Sequence, residues 1–222
     1  DQVRMRDQGG KGYTCFGGAG KNIAGGLLLA WAPGGNSMRA PAGTAFKLPK
    51  GSLLVMQMHY NVVATNGQPD QTSVELELGD TPPDHELVSM YIIKSNLMIK
   101  AGEANWKEKA TAPVGTLAMR SGLPASDLTV YGAFPHMHLL GKRIAVSLVG
   151  GPMGVEIPRW DFHWQNTYTF AAPLTLHPTD VLQLECDYDN SFANQPEIGG
   201  VRQPRRYVKW GQSTLDEMCV TV

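Results

Sequence analysis

Short apolar runs separated by turn residues recur along this chain, and long helical periodicity is scarce. Runs of this kind, bounded by glycine, proline, asparagine or aspartate, are typical of strands in an antiparallel β protein. Strand-like runs occupy 27–31, 45–48, 52–61, 74–78, 87–93, 104–111, 128–134, 144–149, 166–170, 181–188 and 207–210. The pattern therefore predicts an all-β fold with the turn spacing of a sandwich or jelly roll.

A pair of consecutive prolines marks the best candidate for a boundary between domains. Pro82 and Pro83 follow a glycine and an aspartate, and two prolines cannot continue a ladder of backbone hydrogen bonds. Such a segment favours a stiff, extended connection. We therefore predict one domain over 1–83 and a second over 84–222.

Composition and charge exclude some classes of protein. Charged residues are only 18% of the chain and the formal net charge is −1, so we expect no nucleic-acid-binding surface. No apolar stretch approaches the roughly 18 residues of a membrane-spanning helix, so we expect no membrane span. The chain begins without a starting methionine or a signal peptide, and we expect a mature product or a fragment.

Two histidines that are two residues apart carry the strongest chemical signal. His136 and His138 lie between apolar runs, and alternate side chains of a strand point to the same side. Met218 could complete a metal site with its thioether, and two imidazoles with a thioether suit copper. A zinc hydrolase fits less well, because a thioether is a poor zinc ligand beside harder donors. Ordinary strand histidines and a core methionine are the alternative.

The chain has three cysteines, so one disulfide within the chain leaves one cysteine over. Cys186 lies in a strand-like run and Cys219 directly follows Met218, so a bridge between them would hold the thioether in place. Two buried free thiols are the alternative, because a free cysteine behaves as a small apolar residue. Cys15 is left over, and we expect its partner to lie in missing upstream sequence.

An aromatic segment at 160–165 is a candidate wall for a substrate pocket. Trp160, His163 and Trp164 supply large side chains there, and His163 lies within reach of a nearby metal if the segment folds over it. Packing in the core is the alternative use of such aromatic density.

Five motifs together resemble a known family. They are 29–34, 57–61, 136–142, 179–182 with Cys186, and 216–219, and they occur in family order. In these motifs the chain resembles the copper type II, ascorbate-dependent monooxygenases, the group of peptidylglycine α-hydroxylating monooxygenase and dopamine β-monooxygenase, and is closer to bacterial members of it.

The resemblance implies two tandem antiparallel β-sandwich domains of jelly-roll type, the first incomplete at its N-terminus. His136, His138 and Met218 match the copper that binds dioxygen and substrate, and His59 matches one ligand of the electron-transfer copper. Two of the cysteines match a disulfide of the second domain; they are Cys186 and Cys219. It also implies ascorbate as reductant, a small-molecule substrate with dioxygen, and a periplasmic or extracellular location.

The departures from the family change the expected substrate. The electron-transfer copper should have two adjacent histidines upstream, but no histidine precedes His59. Phe134 stands where peptide hydroxylases of the family hold a substrate carboxylate with arginine, and the chain has Val220, Thr221 and Val222 where those enzymes have an asparagine and a tyrosine shortly after the Met-Cys pair. We therefore expect Phe134 in an apolar part of the pocket and no peptide amidation.

Three functions remain open at this point. The first is an exported copper monooxygenase, or its oxygen-binding portion, that hydroxylates a C–H bond of a small organic substrate. The second is an exported copper-binding or electron-transfer module without oxygenase turnover, and the third is a structural β sandwich with a vestigial site. The sequence indicates no oligomeric state.

Overall fold

The computed structural model describes residues 2–7, 9–15, 18–20, 26–32, 34–60 and 67–222. The chain divides into two compact units, one made of residues 1–26 and 40–87 and the other of residues 27–39 and 88–222. The segment 27–39 therefore belongs to the second unit, although it lies early in the chain. The assignment of domains to 1–83 and 84–222 stays a prediction.

The first unit has little regular structure in its described residues. Its elements are α1 (Gln2–Arg6), β1 (Thr44–Phe46) and β2 (His85–Leu87). β1 and β2 pair in parallel, with Thr44 opposite His85. The ammonium group of Lys47 lies 3.1 Å from a carboxylate oxygen of Glu86 just outside this ladder.

Three predicted strands are wrong where the structure describes them. Residues 27–31, 52–60 and 74–78 have no strand assignment, and Asn61, the last residue of the second predicted strand, lies outside the described residues. A strand exists only when a neighbouring strand satisfies its backbone groups, and an apolar pattern does not supply that neighbour. Leu54 accordingly remains 61% exposed.

The second unit confirms the all-β prediction. Its strands are β3 (Ile92–Ile93), β4 (Met98–Ile99), β5 (Trp106–Pro113), β6 (Leu128–Ala133), β7 (Pro135–His136), β8 (Gly141–Leu148), β9 (Met153–Ile157), β10 (Tyr168–Leu176), β11 (Val181–Tyr188), β12 (Glu197–Ile198), β13 (Val201–Arg202), β14 (Val208–Lys209) and β15 (Val220–Thr221). All pairings between these strands are antiparallel. No helix among the described residues has the length and apolar character needed to cross a membrane.

The largest sheet supplies one wall of the core. Its strands follow the order β5–β11–β8–β9. Along β11 the buried side chains alternate, so that Leu184, Cys186 and Tyr188 all point into the core. Ile144 of β8 lies opposite Cys186 and is also fully buried. The strand predicted over 181–188 from its apolar run is therefore confirmed.

The short helix α2 of the second unit was not predicted. α2 (Val114–Arg120) begins after Pro113 and buries Val114, Leu117 and Ala118. These positions follow the i, i+3, i+4 spacing of a helix face. A helix of two turns is too short for that spacing to stand out from the strand-like pattern around it.

A disulfide joins β11 to the C-terminal strand region. Cys186 is bonded to Cys219, with their Cα atoms 6.0 Å apart, and both side chains are fully buried. The predicted pairing is therefore confirmed. Because Cys219 is followed directly by β15, the bond fixes the start of that strand against the core. Cys15 is a free, half-buried cysteine of the first unit.

The buried carboxylate of Glu217 ties two chain segments together. One of its oxygens accepts a hydrogen bond from the backbone N–H of Leu140 at 2.6 Å. The other accepts from the N–H of His138 at 2.9 Å and of Met218 at 3.1 Å. Burial raises the pKa of Glu217 to about 8, and these N–H donors act in the opposite direction. The segment after β7 is thus held to the segment before β15.

Replacing Glu217 by glutamine tests this connection. The amide NH2 cannot accept a hydrogen bond, so at least one buried backbone N–H loses its partner. We expect Glu217→Gln to lower the free energy of unfolding by about 1–3 kcal/mol, as measured by urea unfolding.

Glu197→Gln makes the same chemical change at an exposed carboxylate that pairs with Arg202. We expect it to cost less than about 1 kcal/mol, because surface ion pairs contribute little. Equal stabilities of the two variants would show that the three N–H contacts of Glu217 do not hold the fold together.

Candidate functional site

The pairing of β7 with β15 determines which side chains share a face. His136 lies opposite Val220, and the backbone groups of Phe134 and Val222 exchange hydrogen bonds of 2.9 and 3.1 Å. Residues opposite each other in an antiparallel pair point to the same side, so His136 and Val220 share a face. A position of Met218 on the same face as both histidines stays a prediction.

The residues beside the proposed ligands are deeply buried. Met137 and Cys219 are both fully buried members of the core. The hydroxyl of Tyr188 donates a hydrogen bond of 2.8 Å to the carbonyl of Met218, which fixes the backbone at the methionine. Met218 is 8% exposed and His138 is 5% exposed, so the site is well covered.

The two imidazole rings lie side by side. Their centroids are 5.1 Å apart and the ring planes are almost perpendicular, at 81°. This separation is compatible with two rings on one ion, because a ligating ring nitrogen lies about 2 Å from its metal. Sequence spacing predicted that His136 and His138 share a face, and the structure brings their rings together.

Protein acceptors hold one nitrogen of each ring. The Nδ1 atom of His136 lies 2.7 Å from the Oε1 atom of Gln165, and the Nδ1 atom of His138 lies 3.0 Å from the carbonyl of Asp216. The side-chain NH2 of Gln165 donates to the carbonyl of Phe162, so its oxygen faces the histidine. Both rings therefore carry their proton on Nδ1, and Nε2 is the atom suited to bind a metal.

Neither partner was found by reasoning from the sequence. Gln165 stands at the end of the aromatic segment, where nothing distinguishes it from a surface glutamine. The carbonyl of Asp216 is a backbone atom, so its role leaves no mark on residue identity. Partners of this kind depend on how distant segments meet, which the local sequence does not encode.

The aromatic residues predicted to line a pocket have different surroundings. Trp160 is half-buried and donates from its indole nitrogen to the carbonyl of His138 at 3.0 Å. The side chain of His163 is 82% exposed and contacts Asp161, and Trp164 is 62% exposed. The ring of Phe162 instead stands 6.0 Å from that of His138, edge to face.

A cavity of about 280 Å³ lies beside these residues in the second unit. Phe134 and Gln165 line it, but Trp160, His163 and Trp164 are not among its lining residues. Pocket lining by those three stays a prediction. Phe134, the residue that departs from the family pattern, therefore lies against an open surface cavity.

His59 is located in the first unit and is exposed. Its Nε2 atom lies 3.1 Å from the Nε2 atom of Gln57, which also donates to the carbonyl of Cys15. Within the described part of the chain, no three His, Cys, Asp or Glu side chains are grouped so that they could hold a metal ion. A role for His59 in binding copper stays a prediction.

The donors at His136, His138 and Met218 fit copper by their chemistry. Neutral imidazoles and a thioether form a set with no negative charge, which suits Cu(I) better than a hard divalent ion. Both ring tautomers are fixed by hydrogen bonds, as in well-ordered metal sites. The residues present therefore fit the metal that the sequence predicts.

Comparison with known proteins gives independent information on the family. Residues 86–222 match the family model described as copper type II ascorbate-dependent monooxygenase, C-terminal domain. A putative DBH-like monooxygenase protein 2 from Homo sapiens is 30% identical over 104 residues, which are 45% of this chain and 19% of that protein. Dopamine beta-hydroxylase from Canis lupus familiaris is 26% identical over 105 residues, 46% of this chain and 15% of that protein.

The human dopamine beta-hydroxylase is 28% identical over 102 residues, 44% of this chain and 15% of that protein. The matched part of the chain thus spans less than a fifth of the length of these relatives. The family description names copper as the metal and ascorbate as the reductant. Because the family model covers more than half of the chain, the chain belongs to the copper type II, ascorbate-dependent monooxygenase family.

Proposed function

We propose that the chain is the oxygen- and substrate-binding portion of a copper-dependent monooxygenase that hydroxylates a C–H bond of a small organic substrate. Dioxygen is the oxidant and ascorbate the reductant. The observation that carries this proposal is the approach of the His136 and His138 rings, whose centroids lie 5.1 Å apart, with β7 paired to β15, which begins two residues after Met218. The disulfide beside Met218 agrees with a periplasmic or extracellular location, because such bonds persist in oxidising compartments.

His136, His138 and Met218 would hold the copper. When bound, copper supplies the one-electron chemistry that lets dioxygen react with an otherwise inert C–H bond. The protein orients the two rings through Gln165 and Asp216, and it holds the thioether in place through the Cys186–Cys219 bond. The thioether is a soft donor and favours the reduced metal.

Residues around the proposed copper site limit the access of water and determine which substrates fit. Phe162 covers the edge of the His138 ring, and the buried positions of His138 and Met218 limit access of solvent. Phe134 is apolar where the resemblance leads one to expect an arginine that grips a carboxylate, and Val220, Thr221 and Val222 stand where it leads one to expect an asparagine and a tyrosine. We therefore propose a substrate whose reacting end is apolar and which carries no carboxylate at that end.

A copper-binding or electron-transfer module without turnover is the second candidate. It is favoured by the surroundings of His59, whose described ring contact is an amide of Gln57 rather than a second imidazole. In this alternative the chain binds copper at a single set of donors, because a lone imidazole makes a weak copper site.

Loss of single donors tests the copper site. Met218→Leu removes the sulfur while keeping volume and apolar character, so the fold should be retained. We expect one tightly bound Cu(I) per wild-type chain and an affinity lower by at least about 100-fold in Met218→Leu and in His138→Ala, since even outer partners of ligands contribute about 10- to 100-fold. Competition with a chromogenic Cu(I) chelator under anaerobic conditions measures this.

His177→Ala is the matched control. His177 is exposed and pairs with Asp127, away from the site, so its loss should leave Cu(I) affinity unchanged. Stoichiometric, tight Cu(I) binding in both ligand variants would exclude the proposed donor set.

Oxygen uptake separates the two candidate functions. With ascorbate and catalase present and excess chelator removing free copper, we expect the copper-loaded chain to consume dioxygen at least about tenfold faster than Met218→Leu, a difference near 1.4 kcal/mol in activation free energy. A chain that binds copper tightly but consumes no dioxygen above the copper-free protein would instead be the binding module.

A further inference from the structure

A short hairpin in the second unit carries exposed apolar side chains at its tip. β12 and β13 pair antiparallel with Ile198 opposite Val201. Gly199 and Gly200 form the turn between the strands, with φ angles of +59° and +78°. A two-residue hairpin turn with two left-handed residues favours glycine, which adopts them without strain. Val201 is 65% exposed and Ile198 is 37% exposed, so the tip presents a compact turn flanked by two aliphatic side chains.

Contacts with the turn at 192–194 hold this hairpin in place. The guanidinium group of Arg202 donates to the carbonyl of Ala193 at 2.8 Å and pairs with Glu197 at 2.7 Å. Its central carbon lies 5.7 Å from the centroid of the Phe192 ring, a distance typical of a cation–π contact. Phe192 is exposed. The aliphatic tip and this aromatic ring are therefore parts of one ordered surface.

A second arginine contacts the same ring without an acidic partner. The central carbon of the Arg205 guanidinium lies 6.0 Å from the centroid of the Phe192 ring. Among the described residues no carboxylate forms an ion pair with Arg205, whereas its neighbour Arg206 pairs with Asp216. An aromatic ring positions a cation without neutralising it, because the ring carries no net charge. Arg205 is thus an ordered and exposed positive charge.

Further positive charge lies close to the hairpin. The side-chain NH2 of Asn190 donates to the carbonyls of Lys100 and Arg206, both at 2.9 Å, so Lys100 lies beside the segment that follows β13. Lys209 of β14 is exposed, and neither lysine forms an ion pair within the part of the chain that the structure describes. Glu103, whose carbonyl accepts from the N–H of Asn190, brings one negative charge. The two lysines and Arg205 exceed it, so this face is positive although the whole chain has a formal charge of −1.

The arrangement of apolar and basic groups favours a membrane over a flat protein interface. Exposed apolar groups rimmed by polar ones mark either kind of partner. Here the aliphatic side chains stand at the end of a hairpin, and Arg202, Arg205 and the exposed Tyr207 follow along the chain away from the tip. A bilayer surface has the matching order, because anionic headgroups and an interface that favours aromatic rings cover the hydrocarbon.

We propose that a basic hairpin patch, made of Phe192, Ile198, Val201, Arg205 and Tyr207, binds the surface of a membrane that contains anionic phospholipids. The two aliphatic side chains enter the outer edge of the hydrocarbon, and the arginine contacts lipid phosphate. Binding is peripheral and reversible, since the tip inserts little apolar area and each basic residue contributes modestly. None of these residues is a proposed copper ligand, so the inference does not depend on the copper site.

Co-sedimentation of the full chain with lipid vesicles tests the proposal. We expect binding to vesicles of equal parts phosphatidylcholine and phosphatidylglycerol, and binding at least about fivefold weaker to phosphatidylcholine alone. Raising the ionic strength to about 1 M, where charges are screened beyond about 3 Å, should weaken binding to the anionic vesicles.

Three substitutions probe the charge and the apolar tip of the patch separately. Arg205→Gln and Val201→Ser should each weaken binding to the anionic vesicles by at least about threefold, because one removes a positive charge and the other an inserted apolar group. Glu197→Gln removes a negative charge beside the tip and should strengthen binding by about twofold or more.

Arg120→Gln and Val149→Ser make the same chemical changes elsewhere in the second unit. Arg120 ends α2, and Val149 is an exposed residue directly after β8, so both variants should bind the anionic vesicles as wild type does. Circular dichroism checks that every variant is folded.

The proposal would be overturned if the chain bound neither kind of vesicle, or bound neutral and anionic vesicles equally. Wild-type binding by both Arg205→Gln and Val201→Ser would also overturn it. Binding to soluble polyglutamate without binding to vesicles would instead assign the patch to an acidic protein.

Discussion

The antiparallel pairing of two very short strands positions the residues of the proposed copper site. β7 and β15 contribute two residues each, and their register sets His136 opposite Val220. In the proposed site a slip of one residue would exchange the faces and turn Met218 away from the histidines. The chemistry of the site therefore depends on a constraint of the backbone before it depends on any donor atom.

Three further contacts hold that register. The Cys186–Cys219 bond fixes the residue after Met218, and the hydroxyl of Tyr188 fixes the carbonyl of Met218. Glu217, the residue before Met218, accepts hydrogen bonds from the N–H groups of His138 and Leu140. None of these contacts involves an imidazole nitrogen or the thioether sulfur that would bind copper. In the proposed site the copper donors can therefore be neutral and soft, which suits Cu(I). Their positions are held by other groups, which would not contact the metal.

The sequence predicted the parts that follow a local rule. Alternation along 181–188 and the two-residue spacing of His136 and His138 both reflect the period of a strand. The strand predicted over 52–61 was wrong in its described residues because pairing depends on a partner elsewhere in the chain. Gln165 and the carbonyl of Asp216 were missed for the same reason, since their roles arise only when separate segments meet. Met218 was named from the resemblance and from its chemistry, and no local pattern predicts its register.

X-ray absorption of the Cu(I)-loaded chain tests the central claim most directly. The account predicts two imidazole nitrogens and one sulfur around the copper in the wild-type protein. In Met218→Leu the sulfur contribution should disappear while the imidazole contributions remain. A wild-type spectrum without sulfur, or a sulfur contribution that survives the substitution, would contradict the account.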